Sequence, residues 1–333
     1  MAREGSACLR TRRCAVCGFI NEVQMMVDQG SVREPSLSVW LQTSRVNSLL
    51  ISTISVLTGA ALAWRDGAAS SMVALAWLSA VAAQAGTNLM NVSWNYKAGA
   101  RAPRAVDPRG SSAPVRGGLL TPEQVRRAAH LCFTVALVSG GMLVWRVDPR
   151  LMWLGLPGVL AGYFYASPPI RLAYLGLGVP TVFAFMGPAM VVGTYWLGAH
   201  ATTPGAWAAA CAVGLTAAAV MHVNDVRDFD SDVAVGKRSL ARLVGPFGAR
   251  LLMAAMIVGA YGAILAGVLC HWLPFGALAV GLSVPLAVQM LRIVFLNHDA
   301  VRLNDAWLAG VKLHTAFGVL LLLSLVWAAM QRG

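Results

Sequence analysis

Long apolar runs alternate along this chain with shorter polar breaks. The runs lie near 47–64, 71–92, 127–145, 151–167, 178–198, 205–223, 249–270, 273–297 and 312–330. An α-helix needs about 20 predominantly apolar residues to cross the hydrocarbon core of a bilayer. The pattern therefore predicts an all-α membrane protein with nine transmembrane helices. Prolines and glycines inside several runs are compatible with this, since membrane helices tolerate them when packed against neighbours. The many small residues suit close helix packing. Two polar breaks are longer than the rest, 93–126 and 224–248. Each follows an even-numbered span, which suggests two related halves, although no direct repeat joins them.

Composition supports the membrane reading. Of 333 residues, 57% are hydrophobic and only 12% charged, against roughly 25% charged in a soluble domain. The net charge of +12 raises nucleic acid as a partner. The basic residues, however, fall mostly between the apolar runs, which points to the lipid membrane and its topology instead. With the N-terminus placed in the cytoplasm, 22 of the 26 lysines and arginines fall on the cytoplasmic side and 4 on the other. That asymmetry predicts an integral protein of the cell membrane with both long polar loops cytoplasmic and the C-terminus outside.

Residues 1–40 read as a disordered cytoplasmic leader, and 41–333 as one transmembrane domain. The leader has no apolar core of the kind a signal peptide needs, and Met25 or Met26 is a second candidate start. It carries Cys8, Cys14 and Cys17 in "CLRTRRCAVC". A CxxC is half a zinc site, but no nearby histidine completes it. Cys132, Cys211 and Cys270 sit in or beside apolar runs, as small packing residues do.

The chemistry concentrates in "HVNDVRDFDSDVAVGKR", beginning at His222. Asp225, Asp228, Asp230 and Asp232 fall within eight residues of a chain with only 14 acids. Asp228 and Asp232 are spaced i, i+4, one face of a helix, and Asn224 extends that face. Like charges this close repel unless a cation bridges them. Oxygen-only ligands suit Mg2+, which is usually shared with substrate phosphates. Arg227, Lys237 and Arg238 stand beside the acids with the chemistry to hold phosphate oxygens. A solvated loop of balanced charge and a proton or ion path through the membrane are the competing readings.

The stretch "NDVRDFDSDVAVGKRSLARLVG" resembles the second aspartate motif of the UbiA superfamily of intramembrane prenyltransferases. It is most similar to the branch that prenylates dihydroxynaphthoate. The matching positions are Asn224, Asp225, Arg227, Asp228, Asp232, Gly236, Lys237 and Leu240. "LQTSRVNSLLISTISVLTGAALAW" resembles the family's first span, with Arg45 at the position of a diphosphate-binding arginine. "APVRGGLLTPEQVRRA" resembles the approach to span three, and "YFYASPPIRLAYLGLG", containing Arg171, the paired-proline loop after span four. The resemblance implies nine helices around a central cavity under a cytoplasmic polar cap. It implies Mg2+ on Asp225, Asp228 and Asp232, holding an isoprenyl diphosphate. Arg45, Asn88, Arg101, Arg171, Asn224, Arg227 and Lys237 would then contact the diphosphate. Loss of diphosphate leaves an allylic cation, which an aromatic acceptor such as a quinone precursor attacks. Asp228, Asp232, Asn91 and Asn95 are the catalytic positions it implies.

The first aspartate motif departs from the family. In "NLMNVSWNYKAGARA", Asn88, Asn91 and Gly99 match, but Val92, Asn95 and Arg101 stand where relatives carry acids. Val179, in "GLGV", replaces another acid, either removing a polar contact at the cavity mouth or packing as the first turn of span five. Three readings of the first motif stand side by side. Asn91 and Asn95 offer neutral oxygens to Mg2+ or donors to phosphate. Or the acceptor is gone, and the chain is a terpene cyclase that quenches the cation internally. Or the protein only binds isoprenoids. The first, a Mg2+-dependent prenyltransferase, is the expected function.

Overall fold

The computed structural model describes residues 35–99, 110–234 and 236–332, and every regular element among them is helical. In chain order these are α1 (Leu37–Ser44), α2 (Val46–Arg65), α3 (Val73–Gly99) and α4 (Ala113–Arg116). They are followed by α5 (Pro122–Arg146), α6 (Met152–Tyr163), α7 (Gly178–Ala199) and α8 (Pro204–Arg227). The chain ends with α9 (Phe229–Ala234), α10 (Leu240–Leu269), α11 (Phe275–Leu296) and α12 (Ala300–Met330). Residues 1–34 of the leader, with its cysteines, and Arg101 lie outside the described residues, while 37–40 belong to α1.

Eight of these helices are long and apolar enough to cross a membrane: α2, α3, α5, α7, α8, α10, α11 and α12. The nine-span expectation fails at 151–167. There α6 has only 12 residues, a length of about 18 Å, short of the ~30 Å a bilayer core demands. Its shortness follows from what flanks it. A 3-10 turn at Pro149–Leu151 precedes it, and the chain leaves helical geometry after Tyr163 for a loop containing the cis Pro168–Pro169 bond. The segment still runs from one end of the bundle to the other. Asp148, just before it, accepts from Trp196 Nε1 near the end of α7 at 2.9 Å. Tyr174, just after it, accepts through its carbonyl from the Arg238 N–H beside the acidic cluster at 3.0 Å.

Helix ends follow local chemistry. Thr121 and Gln124 form a reciprocal capping box at the start of α5, with Pro122 in the first turn where its missing N–H costs nothing. Thr203 caps α8 through the Ala206 N–H. Pro188 lies in a π-helical stretch of α7, Phe185–Val192. Gly245, at φ 77°, breaks α10 directly before Pro246.

The bundle is built around α8, whose Ala206, Ala209, Ala210, Ala212 and Val213 have no exposed surface. Small side chains let its neighbours approach closely. A Cβ at Gly187 of α7 would stand 2.4 Å from the Ala210 carbonyl oxygen. The end of the bundle remote from the acids is fastened by charge. Arg65 grips Asp66 at 2.8 Å, Tyr195 donates to Asp66 at 2.9 Å, and Arg332 reaches it at 3.7 Å.

Candidate functional site

The acidic stretch is helical, as the i, i+4 spacing suggested, but is divided between two helices at Asp228. Asn224 and Asp225 occupy the last turn of α8, Asp228 is its C-cap, and Asp232 lies in α9. A helix C-terminus carries partial negative charge, so acids placed there are unfavourable without nearby cations. Two cations answer. Lys237 Nζ lies 2.7 Å from Asp232 and 3.2 Å from Asp225. Arg227 holds both oxygens of Asp228 at 2.9 Å and donates to Asn304 of α12 at 2.8 Å. Burial works against the Lys237 charge, but Asp225 and Asp232 more than offset it and push its pKa above the usual lysine value. The ammonium is therefore fixed as the charged form.

This corrects the expected pairing. Asp228 and Asp232 are one helical turn apart, with the Asp232 N–H on the Asp228 carbonyl at 2.8 Å, yet they serve different cations. The carboxylates that converge are Asp225 and Asp232, both buried. Among the described residues no three His, Cys, Asp or Glu side chains form a group that could hold a metal. Lys237, expected on phosphate, sits between two expected metal ligands. Asn224 donates to the Met221 sulfur at 3.7 Å.

The first motif is neutral and tied inward. Asn95 donates through Nδ2 to Asn91 Oδ1, and its own Oδ1 accepts from Tyr174 at 3.2 Å. Arg171, in left-handed geometry at φ 52°, places its guanidinium 5.3 Å from the Tyr174 ring centroid. The paired-proline loop thus touches the first motif through Tyr174 and the second through Arg238. Val92 is 2% exposed and packs with Leu89, Val115, Leu120, Val125 and Phe133. Its side chain belongs to a packed core. Val179 likewise packs in the core on the first turn of α7, as the plainer expectation had it.

Arg45 sits in the left-handed junction between α1 and α2, at φ 56°. Its Nε donates to Ser111 Oγ at 2.8 Å. Burial, then the Arg227 charge, lower its pKa from the usual arginine value, and Asp228 opposes them. It stays charged, since arginine starts above 12. Asn88 holds that junction: its Nδ2 donates to the Ser44 carbonyl at 2.9 Å and to Ser48 Oγ at 2.8 Å. Both hydrogens of Nδ2 are thus committed, and the remaining Oδ1 only accepts, so it would meet a diphosphate through a shared cation rather than directly.

Beneath these residues lies a cavity of about 410 Å3 between α2, α3, α5, α6 and α7. Arg45, Asn88, Asn91 and Tyr165 form its polar end. The Tyr165 hydroxyl is buried there without a hydrogen-bond partner. His222 and His314, inside α8 and α12, are packed and bonded to the Ala249 carbonyl and to Thr216. Sequence reading missed Ser48, Ser111 and Asn304, which brace the site's cations and Asn88. A serine or asparagine far away in sequence gives no signal of such a role.

A polytopic helical bundle with a charged rim over an apolar cavity is the class of protein defined here. The match is specific: residues 52–316 fit the model of the UbiA prenyltransferase family, and the chain belongs to that family. It is 29% identical over 273 residues to 1,4-dihydroxy-2-naphthoate octaprenyltransferase of Escherichia coli, covering 80% of this chain and 87% of that one. It is 28% identical over 290 residues to the Bacillus subtilis enzyme of the same name, covering 86% and 91%. The fold resembles the apo structure of a UbiA homolog from Aeropyrum pernix K1, with TM-score 0.60, 17% identity and coverage of 82% and 97%. It also resembles a UbiA homolog from Archaeoglobus fulgidus bound to DMAPP and Mg2+, with TM-score 0.54, 15% identity and coverage of 85% and 98%.

The donor set fits Mg2+ on one side only. Asp225 and Asp232 already hold one cation between them, the Lys237 ammonium, and hard oxygens of this kind suit Mg2+. Asn91 and Asn95 bring no charge, and both of their side-chain oxygens accept hydrogen bonds within the protein.

Proposed function

We propose that this protein transfers a prenyl group from an isoprenyl diphosphate to an aromatic acceptor, with Mg2+ shared between the diphosphate and the paired carboxylates of Asp225 and Asp232. The observation that carries the reading is the continuity of the half-buried Arg45 and the buried Tyr165 hydroxyl with the apolar cavity below. An amphiphile with an anionic head and a hydrocarbon tail satisfies both ends at once. The naphthoate prenyltransferase relatives supply the acceptor class.

In this reading Arg45 and Asn91 face the diphosphate from the α2–α3 side, and Arg227 and Lys237 from the α8 side. Bound Mg2+ would supply charge neutralisation as the diphosphate departs. Lys237 is the resident counter-ion of Asp225 and Asp232, and it keeps the paired acids from repelling when the site is empty of other cations. Asn91, Asn95 and Tyr174 form a hydrogen-bonded chain that fixes the first motif where relatives place charge. The apolar walls exclude water from the allylic cation, so that the acceptor traps it. In this reading the loops bearing these residues face the cytoplasm, which the distribution of lysine and arginine supports.

The test is incubation of membranes containing the protein with C10, C15 and C20 diphosphates and Mg2+, with and without dihydroxynaphthoate, followed by product analysis. Acceptor-dependent release of diphosphate with a prenylated aromatic product is the expected result. Diphosphate release with a hydrocarbon product and no acceptor would replace transfer by cyclisation. Tight binding without release would leave a carrier.

A further inference from the structure

The cavity has a length as well as a volume, and identifiable residues mark both of its ends. One stripe of α3, Ala76, Ala80, Ala83, Thr87 and Asn91, lines it from end to end. From Ala76 to Asn91 is 15 residues, about 22 Å along a helix. The polar end is at Asn91, beside Arg45 and the unpartnered, buried Tyr165 hydroxyl. The far end is made by Val56, Ala76, Leu143, Leu151 and Leu197. The same five residues form one buried apolar cluster, so they pack on each other as a floor. The width is set by glycine. Gly140, Gly158 and Gly162 line the wall, and a Cβ at Gly162 would lie 2.4 Å from Thr87 Oγ1.

An extended hydrocarbon advances about 1.2 Å per bond, as the extended peptide does over three bonds per residue. A four-bond isoprene unit then spans about 5 Å, and a 22 Å channel accepts four units, with its terminal methyls against the floor. We infer that this site selects a four-unit, C20 isoprenyl diphosphate, and that Leu143, Leu151 and Leu197 are the residues that set the limit. The inference rests on the reading of the cavity as an isoprenyl diphosphate site. It goes beyond that reading by fixing the substrate's length.

The floor acts by exclusion. A fifth unit continuing along this axis must displace the close-packed side chains of the floor, which apolar cores resist. Shorter chains leave part of the channel unfilled and forgo contact with Ala76 and its neighbours. Affinity should therefore rise by about tenfold or more per unit up to C20, as each buried unit adds apolar contact, and drop beyond it.

The experiment measures binding as well as turnover. Purified protein in detergent with Mg2+ is titrated with C10, C15, C20, C30 and C40 diphosphates, displacing radiolabelled C20 diphosphate. Wild type should bind C20 about a hundredfold or more tighter than C10 and about tenfold or more tighter than C40. Ala80→Phe, which fills the channel one turn above the floor and leaves about 16 Å, should move the optimum to C15. Leu151→Ala, which opens the floor, should bring C30 within a few-fold of C20. The thermal midpoint of each variant without ligand identifies any that fails to fold, and the wild-type series decides the matter alone. Equal binding from C20 to C40 in wild type, or an optimum unmoved by Ala80→Phe, would overturn the inference. Length-ranked binding without transfer would keep the inference and overturn the proposed reaction. Absence of binding at every length would overturn both.

Discussion

The phenol of Tyr174 donates to Asn95 Oδ1 at 3.2 Å, across 79 residues of sequence. The same residue accepts through its backbone carbonyl from the Arg238 N–H at 3.0 Å. One side chain and its own backbone thus connect the neutral first motif to the acidic second one. The loop that carries Tyr174 is the physical link between the two halves of the site.

Tyr174→Phe should isolate that link. It keeps the ring over which Arg171 sits and removes only the hydroxyl, a hydrogen bond of about 1 kcal/mol. The KM for the diphosphate should rise about fivefold, in line with that energy, while kcat changes less. Tyr174→Ala should be worse, since the cation–π contact with Arg171 also goes. Steady-state kinetics of the two variants check this, and identical parameters for wild type and Tyr174→Phe would remove the linking role.

Asp232→Asn and Asp225→Asn each remove one of the two charges that hold Lys237. Both should cut turnover by about 10³-fold or more, because metal-assisted charge stabilisation is worth several kcal/mol and no carboxylate in the first motif replaces it. Lys237→Met should lower the thermal midpoint of the protein, because two buried carboxylates lose their shared counter-ion. Near-normal activity in both aspartate variants would end the metal assignment.

Asn95→Ala breaks the Asn91–Asn95–Tyr174 chain and should reduce kcat/KM by about 3- to 10-fold, the worth of one such contact. Asn95→Asp introduces a carboxylate at the position where the family resemblance implies one. It should lower the Mg2+ concentration needed for half-maximal rate. If neither change alters rate or Mg2+ dependence, this half of the site is not used.

Orientation is testable with cysteines. Glu123→Cys, at the same end of the bundle as the acidic cluster, should resist a membrane-impermeant maleimide added to intact cells. Native Cys270 is exposed at the opposite end and should react. The reverse pattern would invert the protein and place the acidic cluster outside.

Much of this molecule is legible without coordinates. Apolar runs report helices that cross a membrane because the lipid leaves backbone groups no partner outside the helix. Eight of the nine expected spans are long, apolar helices for that reason. The acidic stretch marks the site in sequence because acids are costly beside a membrane helix and persist where a cation meets them. The fourth expected span, 151–167, differs, since hydropathy counts residues and does not see that turns at both ends limit α6 to 12 residues.

What the tertiary structure alone decided is partnership. Spacing suggested Asp228 with Asp232, but Lys237 folds back between Asp225 and Asp232, and Arg227 turns to Asp228 and to Asn304 of a helix 77 residues away. The missing acid at Val92 reads in sequence as a lost ligand, yet its side chain packs in a core. The cavity's length and floor arise from five helices meeting, and no single segment encodes them. Periodicity is a property of one helix and survives in a string of letters. Which charges pair, and how long a chain the cavity holds, depend on helices distant in sequence and packed together.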